Sequence, residues 1–122
     1  MGNQFDDKTP IYLQIMDIVK RDIVSNKLKG GDKLPSVREL AGSLKVNPNT
    51  LQRAYQELER EGITFTQRGM GTFVTEDEEI IKNLKKEMAH SVILSFIDGM
   101  KKLGFSSDEI IDIVSEQIKG EE

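Results

Sequence analysis

A mainly α-helical chain with one small β-hairpin is predicted, on three observations. Apolar residues recur at three- and four-residue spacing through most of the sequence, one short stretch alternates with period two, and polar capping residues stand ahead of several helical stretches. The expected organisation is three helices and a hairpin over residues 1–75, followed by a two-helix tail over residues 76–122.

The first helix is expected over about residues 10 to 27, with Pro10 in its first turn behind Thr9 and Ile11, Ile15, Ile18, Val19, Ile23 and Val24 as its apolar stripe. Lys29, Gly30, Gly31 and Asp32 break it. Ser36 and Glu39 have the spacing of a capping box and open a short second helix that ends near Leu44. Asn47 followed by Pro48 starts a third, residues 48–61, whose stripe is Leu51, Ala54, Tyr55 and Leu58 and which stops at Gly62. Over residues 63–75 the period changes. Ile63 and Phe65 alternate with Thr64 and Thr66, Arg68, Gly69, Met70 and Gly71 interrupt, and Thr72, Phe73, Val74 and Thr75 resume. Gly69 and Gly71 at the tip tolerate positive φ and put no side chain between that backbone and whatever it approaches. Beyond Glu76 a long helix is expected to Leu103. Gly104 ends it, and a last helix opens at the second capping-box spacing, Ser106 to Glu109, with Ile110, Ile111, Val114 and Ile118 as its stripe.

Composition excludes several classes of function. At 122 residues the chain has no room for separate cofactor and substrate domains. With no cysteine and one histidine it offers no disulfide, thiolate nucleophile or zinc finger, so neither metal nor cofactor is expected. No run approaches the roughly 18 apolar residues of a membrane span and the start, MGNQFDDKTP, carries no basic leader, so a cytoplasmic protein is expected. The net charge of −4 conceals an asymmetry. Residues 1–75 carry 11 Lys and Arg against 9 Asp and Glu, whereas residues 76–122 carry 6 against 12.

Helix, short helix, tight connection, third helix and glycine-tipped hairpin are the parts of a winged helix-turn-helix, which lays one helix in the major groove of DNA and its hairpin along the backbone or minor groove. The polar face of the third helix begins with Asn49, Gln52 and Arg53, side chains whose amides pair with adenine and whose guanidinium pairs with guanine. At the start of that helix, near Asn47 and Asn49, free backbone amides are expected to receive a phosphate, with Arg68 following on the hairpin tip.

Residues 34 to 74, LPSVRELAGSLKVNPNTLQRAYQELEREGITFTQRGMGTFV, closely resemble the winged helix of the GntR family of bacterial transcription regulators. The preceding PIYLQIMDIVKRDIVSNKLKGGDKL resembles that family's first helix and approach loop, and the short helical tail resembles the YtrA-type subgroup. The resemblance implies that Arg38, Asn47, Asn49, Thr50 and Gln52, together with Arg68 and Gly69, approach DNA, and that Ser36 caps a helix near phosphate. The wider family often has a basic residue where Pro48 stands and an arginine where Gln52 stands, so its base preference is not transferred; Arg53 is the alternative contact.

Plainer roles compete for several of these residues. Arg38 can pair with Glu39 or a third-helix acid, and Tyr12 and Tyr55 suit helix packing better than base stacking. Glu57, Glu59 and Glu61 alternate on a helix and so point to different sides, which makes a solvated face a better account than a catalytic acid–base pair. His90 has no second ligand beside it. No catalytic residue is expected.

The tail is too short for a preformed ligand pocket, so a small-molecule effector is possible but no site for one is predicted. From Val92 to Ile97 its residues are apolar except Ser95, more than one helix face can hide within the tail itself. A second copy is the economical cover, with Leu84, Met88, Val92, Ile93, Phe96, Ile97 and Met100 at the dimer interface. The expected function is a homodimeric transcription repressor that binds an inverted-repeat operator in double-stranded DNA, and a hinge near Thr75 to Asp77 would alter the spacing of its two reading heads. The alternative is a winged-helix protein-interaction module without DNA binding.

Overall fold

The computed structural model describes residues 5–121. Its elements run α1 (Ile11–Val24), α2 (Val37–Leu44), α3 (Pro48–Arg60), β1 (Thr64–Gln67), β2 (Gly71–Val74), α4 (Glu78–Lys102) and α5 (Ser107–Glu121). Two compact units divide the chain between Lys85 and Lys86.

α3 is the hub of the first unit and packs against α1, α2 and β1. Its stripe explains why: Leu51, Ala54, Tyr55 and Leu58 are all buried, and burying a Leu of this kind contributes roughly 1.5–3 kcal/mol. α1 contributes Ile15, Met16, Val19 and Ile23 to the same core, whereas Ile11 is exposed. Pro10 lies one residue ahead of α1, with its carbonyl accepting from the Leu13 and Gln14 amides. α1 also ends sooner than its periodicity predicts. Asn26 adopts a left-handed φ of 69° and donates its N–H to the Ile23 carbonyl, which closes the helix before Lys27.

The two capping boxes form. Ser36 Oγ accepts from the Glu39 amide while the Ser36 amide donates to Glu39 Oε1 at 2.9 Å, and Ser106 and Glu109 repeat the exchange ahead of α5. Both glutamates are held below the ordinary carboxyl range, first by the serine amide and then by its hydroxyl.

The hairpin pairs Thr64 with Val74, Phe65 with Phe73 and Thr66 with Thr72. Which face is buried differs from what the apolar alternation suggests. Thr64 and Val74 turn inward, and Thr66 donates its hydroxyl to Glu59 on α3, whereas Phe65 and Phe73 stack on the opposite face with ring centroids 5.7 Å apart. The connection to α2 lies along the free side of β2: the Leu34 amide donates to Thr72 O, the Val74 amide to Asp32 O and the Gly31 amide to Val74 O. Asp32–Leu34 thereby covers an edge that would otherwise be exposed.

Thr75–Asp77, expected as a hinge, is tied down. The Thr75 amide donates to Ile63 O, the Asp77 amide to Thr75 Oγ1, and Asp77 Oδ1 accepts from the Glu79 and Ile80 amides as the cap of α4. The chain stays with the first unit for ten residues beyond Thr75, and Leu84, expected at a dimer interface, is 5% exposed in the single chain. Its apolar surface is already used.

In the second unit Ile110 of α5 is buried. Val92, Ile93, Leu94, Phe96, Ile111 and Ile118 are exposed, between 42% and 61%. Ile93, Phe96, Ile97, Ile110, Ile111, Val114 and Ser115 line an open cleft of about 320 Å³. No helix among the described residues is long and apolar enough to cross a membrane.

Candidate nucleic-acid interface

Burial of one face of α3 forces the other outward. Asn49 and Gln52 stand on that outer face, exposed, with no side-chain hydrogen bond or ion pair among the described residues. Thr50 is half-buried beside them. Arg38, on the first turn of α2, and Arg68, on the hairpin, are exposed and take part in no ion pair among the described residues, so the pairing of Arg38 with an acid of α2 or α3 does not occur. A guanidinium without an acidic partner keeps its charge and its N–H donors available to a phosphate.

The two acids of α3 and Glu61, which follows it, each find a different partner: Glu57 pairs with Arg60, Glu59 accepts from Thr66 and Glu61 pairs with Lys20 at 2.9 Å. They form no acid–base pair. Among the described residues no group of His, Asp and Glu is arranged to hold a metal, and His90 is exposed.

The start of α3 corrects one expectation. Asn47 caps the helix, its Oδ1 accepting from the Asn49 amide at 2.7 Å, while the Thr50 and Leu51 amides go to the Asn47 carbonyl. Pro48 has no amide to offer. The expected free backbone donors are therefore spent within the helix start, and a phosphate there would meet the Asn47 and Asn49 side chains instead. Ser36 is likewise committed to its cap.

Arg53 differs from its neighbours. Its guanidinium carbon sits 3.9 Å from the centroid of the Tyr12 ring on α1, an attraction between a cation and the negative face of the ring. Tyr12 therefore packs between helices, and Arg53 is held towards α1 instead of standing free beside Gln52. Tyr55 is 5% exposed and donates its hydroxyl to the Pro35 carbonyl at 2.7 Å, which fastens the approach to α2 onto α3. Its phenol is pushed up to about 12, by burial first and then by the Glu39 carboxylate.

The two hairpin glycines also part company. Gly69 has φ +78° and nothing within 4 Å of where a β-carbon would be, so its backbone is open to a ligand. At Gly71, with φ +121°, a β-carbon would stand 2.7 Å from Lys33 Cε. What Gly71 admits is a lysine side chain of its own chain. Lys33 attracts no attention in the sequence, since the contact joins residues that are distant along the chain.

Open clefts do exist in the first unit. One of about 390 Å³ is lined by Ile23, Asn26, Leu28, Lys29, Gly30, Glu76, Glu78 and Ile81, and one of about 450 Å³ lies beside the N-terminal part of α1.

Comparison with known proteins agrees with this geometry. Residues 11–74 match the model of the bacterial regulatory proteins of the gntR family. The chain is 49% identical to an uncharacterized HTH-type transcriptional regulator, YhcF, of Bacillus subtilis (strain 168), with 92% of this chain and 93% of that protein covered. It is 41% identical to the HTH-type transcriptional repressor YtrA of the same organism, over 92% and 89% of the two chains. A solved GntR family transcriptional regulator from Listeria monocytogenes superposes with a TM-score of 0.84 at 46% identity, over 92% of this chain and 98% of that one. These relatives are transcription regulators and not enzymes. This chain belongs to the GntR family of bacterial transcription regulators and carries that family's DNA-binding winged helix-turn-helix.

Proposed function

We propose that the protein is a homodimeric repressor in the bacterial cytoplasm that reads an inverted-repeat operator through residues 48–61 and the wing at 63–75. One observation carries the reading: α3 buries a complete apolar stripe and leaves Asn49 and Gln52 exposed without intramolecular partners. In this reading Asn49 and Gln52 read base edges, Asn47 and Thr50 flank them, and Arg38 and Arg68 with the bare backbone at Gly69 hold the phosphates on either side. Ser36 fixes the start of α2, which aims Arg38.

Dimerisation is supported by the second unit, where Val92, Ile93 and Phe96 are exposed and Ile93, Phe96 and Ile97 line an apolar cleft. Met88 and Met100 are half-buried on the same helix. A two-fold pair would set two copies of α3 about one turn of DNA apart, or a multiple of it. The likeness to YtrA, itself named a repressor, favours occlusion of a promoter.

Selection of bound sequences from a random duplex pool tests the proposal, alongside light scattering. Recovery of an inverted repeat by a dimer supports it; a monomer that retains no duplex at low salt overturns it and leaves the protein-interaction module. Arg38→Ala and Arg68→Ala should weaken DNA binding and leave the dimer intact.

A further inference from the structure

Lys33 is fixed more firmly than a surface lysine usually is. Its backbone bridges Phe73 of β2, with the flanking Leu34 amide donating to Thr72 O and the flanking Asp32 carbonyl accepting from the Val74 amide. From there its stem crosses β2 over Gly71, the one place on that strand where no side chain obstructs it: a β-carbon at Gly71 would lie 2.7 Å from Cε, 3.5 Å from Nζ and 3.7 Å from Cδ. A path of this kind limits the rotamers open to the side chain, so less entropy is lost when the ammonium is later engaged.

Charge completes the picture. Lys33 forms no ion pair among the described residues and is exposed. Glu39, on the first turn of α2, feels its positive charge, after the larger effects of the Ser36 amide and hydroxyl. The ammonium thus lies over the hairpin that carries Arg68, and its charge reaches the helix start that carries Arg38.

We propose that Lys33 is a further DNA-contacting residue, whose ammonium takes a backbone phosphate between those held by Arg38 and by the wing, and that Gly71 serves as the channel for its stem. The proposal rests on the DNA-binding reading above. A point charge on a constrained stem suits this place, because a phosphate needs no directional fork and the contact carries no base information.

Affinity should be measured against salt for wild type, Lys33→Met, Lys33→Arg and Arg68→Ala, on a duplex selected by the wild type and on an unrelated duplex. Lys33→Met should lower the slope of log K on log salt by about one, weaken both duplexes by the same factor, roughly eightfold at 0.1 M salt, and leave the melting temperature in place. Lys33→Arg should restore slope and affinity. If Lys33→Met keeps the wild-type slope while Arg68→Ala loses one, the proposal fails and the regulator stands. A loss of affinity with an unchanged slope likewise overturns it, as a purely structural effect. Wild-type protein that binds neither duplex overturns both readings together.

Discussion

The guanidinium of Arg53 lies over the ring of Tyr12, 3.9 Å from its centroid, and ties the outer side of α3 to α1. Arg53→Ala should therefore cost stability, about 0.5–1 kcal/mol at this exposed site, and leave the preferred operator unchanged, whereas Asn49→Ala and Gln52→Ala should relax base preference. A double-mutant cycle with Tyr12→Leu in urea measures the coupling, and repeated duplex selection measures the preference. Loss of one base preference in Arg53→Ala would show that the arginine swings away from the ring to read DNA.

Asn47 caps α3 through Oδ1, which accepts from the Asn49 amide, and the proposed DNA-binding reading brings a phosphate to the rest of its side chain. Asn47→Ala should cost about 1 kcal/mol. Asn47→Asp keeps an acceptor at the cap and adds a charge favourable to the helix start, so its melting temperature should hold while its DNA affinity falls through repulsion of phosphate. Thermal melting and DNA titration of the same samples check the separation.

Tyr55→Phe removes the hydrogen bond to the Pro35 carbonyl and should destabilise the fold by about 1 kcal/mol. It should also change the alkaline limb of stability. The folded phenol is raised to about 12 from an ordinary value of 10.0, by burial ahead of Glu39. The folded state thus favours the protonated form. Its contribution is fully present below about pH 10 and is lost as pH rises from about 10 through about 12. Urea unfolding between pH 8 and 12 should show a steeper decline in wild type than in Tyr55→Phe.

The Thr64 hydroxyl is buried without a hydrogen-bond partner among the described residues. Thr64→Val keeps the branched shape beside Val74 and discards the unsatisfied group, so it should raise stability by about 1 kcal/mol. A lowered urea midpoint would mean that the hydroxyl has a partner in solution.

Leu84 and Phe96 should respond differently to change. Leu84 is buried in the single chain, so Leu84→Ala should cost about 2–4 kcal/mol of folding stability and leave the association state unchanged. Phe96 is 42% exposed, and Phe96→Asp should yield a folded monomer with weakened operator binding. Light scattering and circular dichroism distinguish the outcomes.

Much of this fold is readable from the sequence because its signals are short-range. Ser36 with Glu39, Ser106 with Glu109, and Asn47 ahead of Pro48 specify helix starts within three residues, and the stripe Leu51, Ala54, Tyr55 and Leu58 identifies the buried side of α3. The exposed candidates Asn49 and Gln52 follow from the same periodicity, being what remains when the apolar face is assigned, whereas Arg68 is marked by its place at the hairpin tip and Arg38 by the resemblance to the GntR winged helix.

Periodicity is a poorer guide where two faces both find cover. In the hairpin, Phe65 and Phe73 have the larger apolar surface, yet Thr64 and Val74 face the core, and the period of two along each strand then places both rings on the other face. Along α4 the apolar residues form one continuous series, and nothing local separates Leu84, consumed by folding, from Phe96, left exposed.

By itself, then, the sequence determined the helices, their caps, the hairpin and the polar face of α3, all products of residues within a turn or two of one another. Only the tertiary structure decided that Arg53 is occupied by Tyr12, that Gly71 accommodates Lys33 and that Leu84 is internal. Those three outcomes depend on which surfaces meet when distant segments pack, and the spacing of residues along a chain carries no record of that distance.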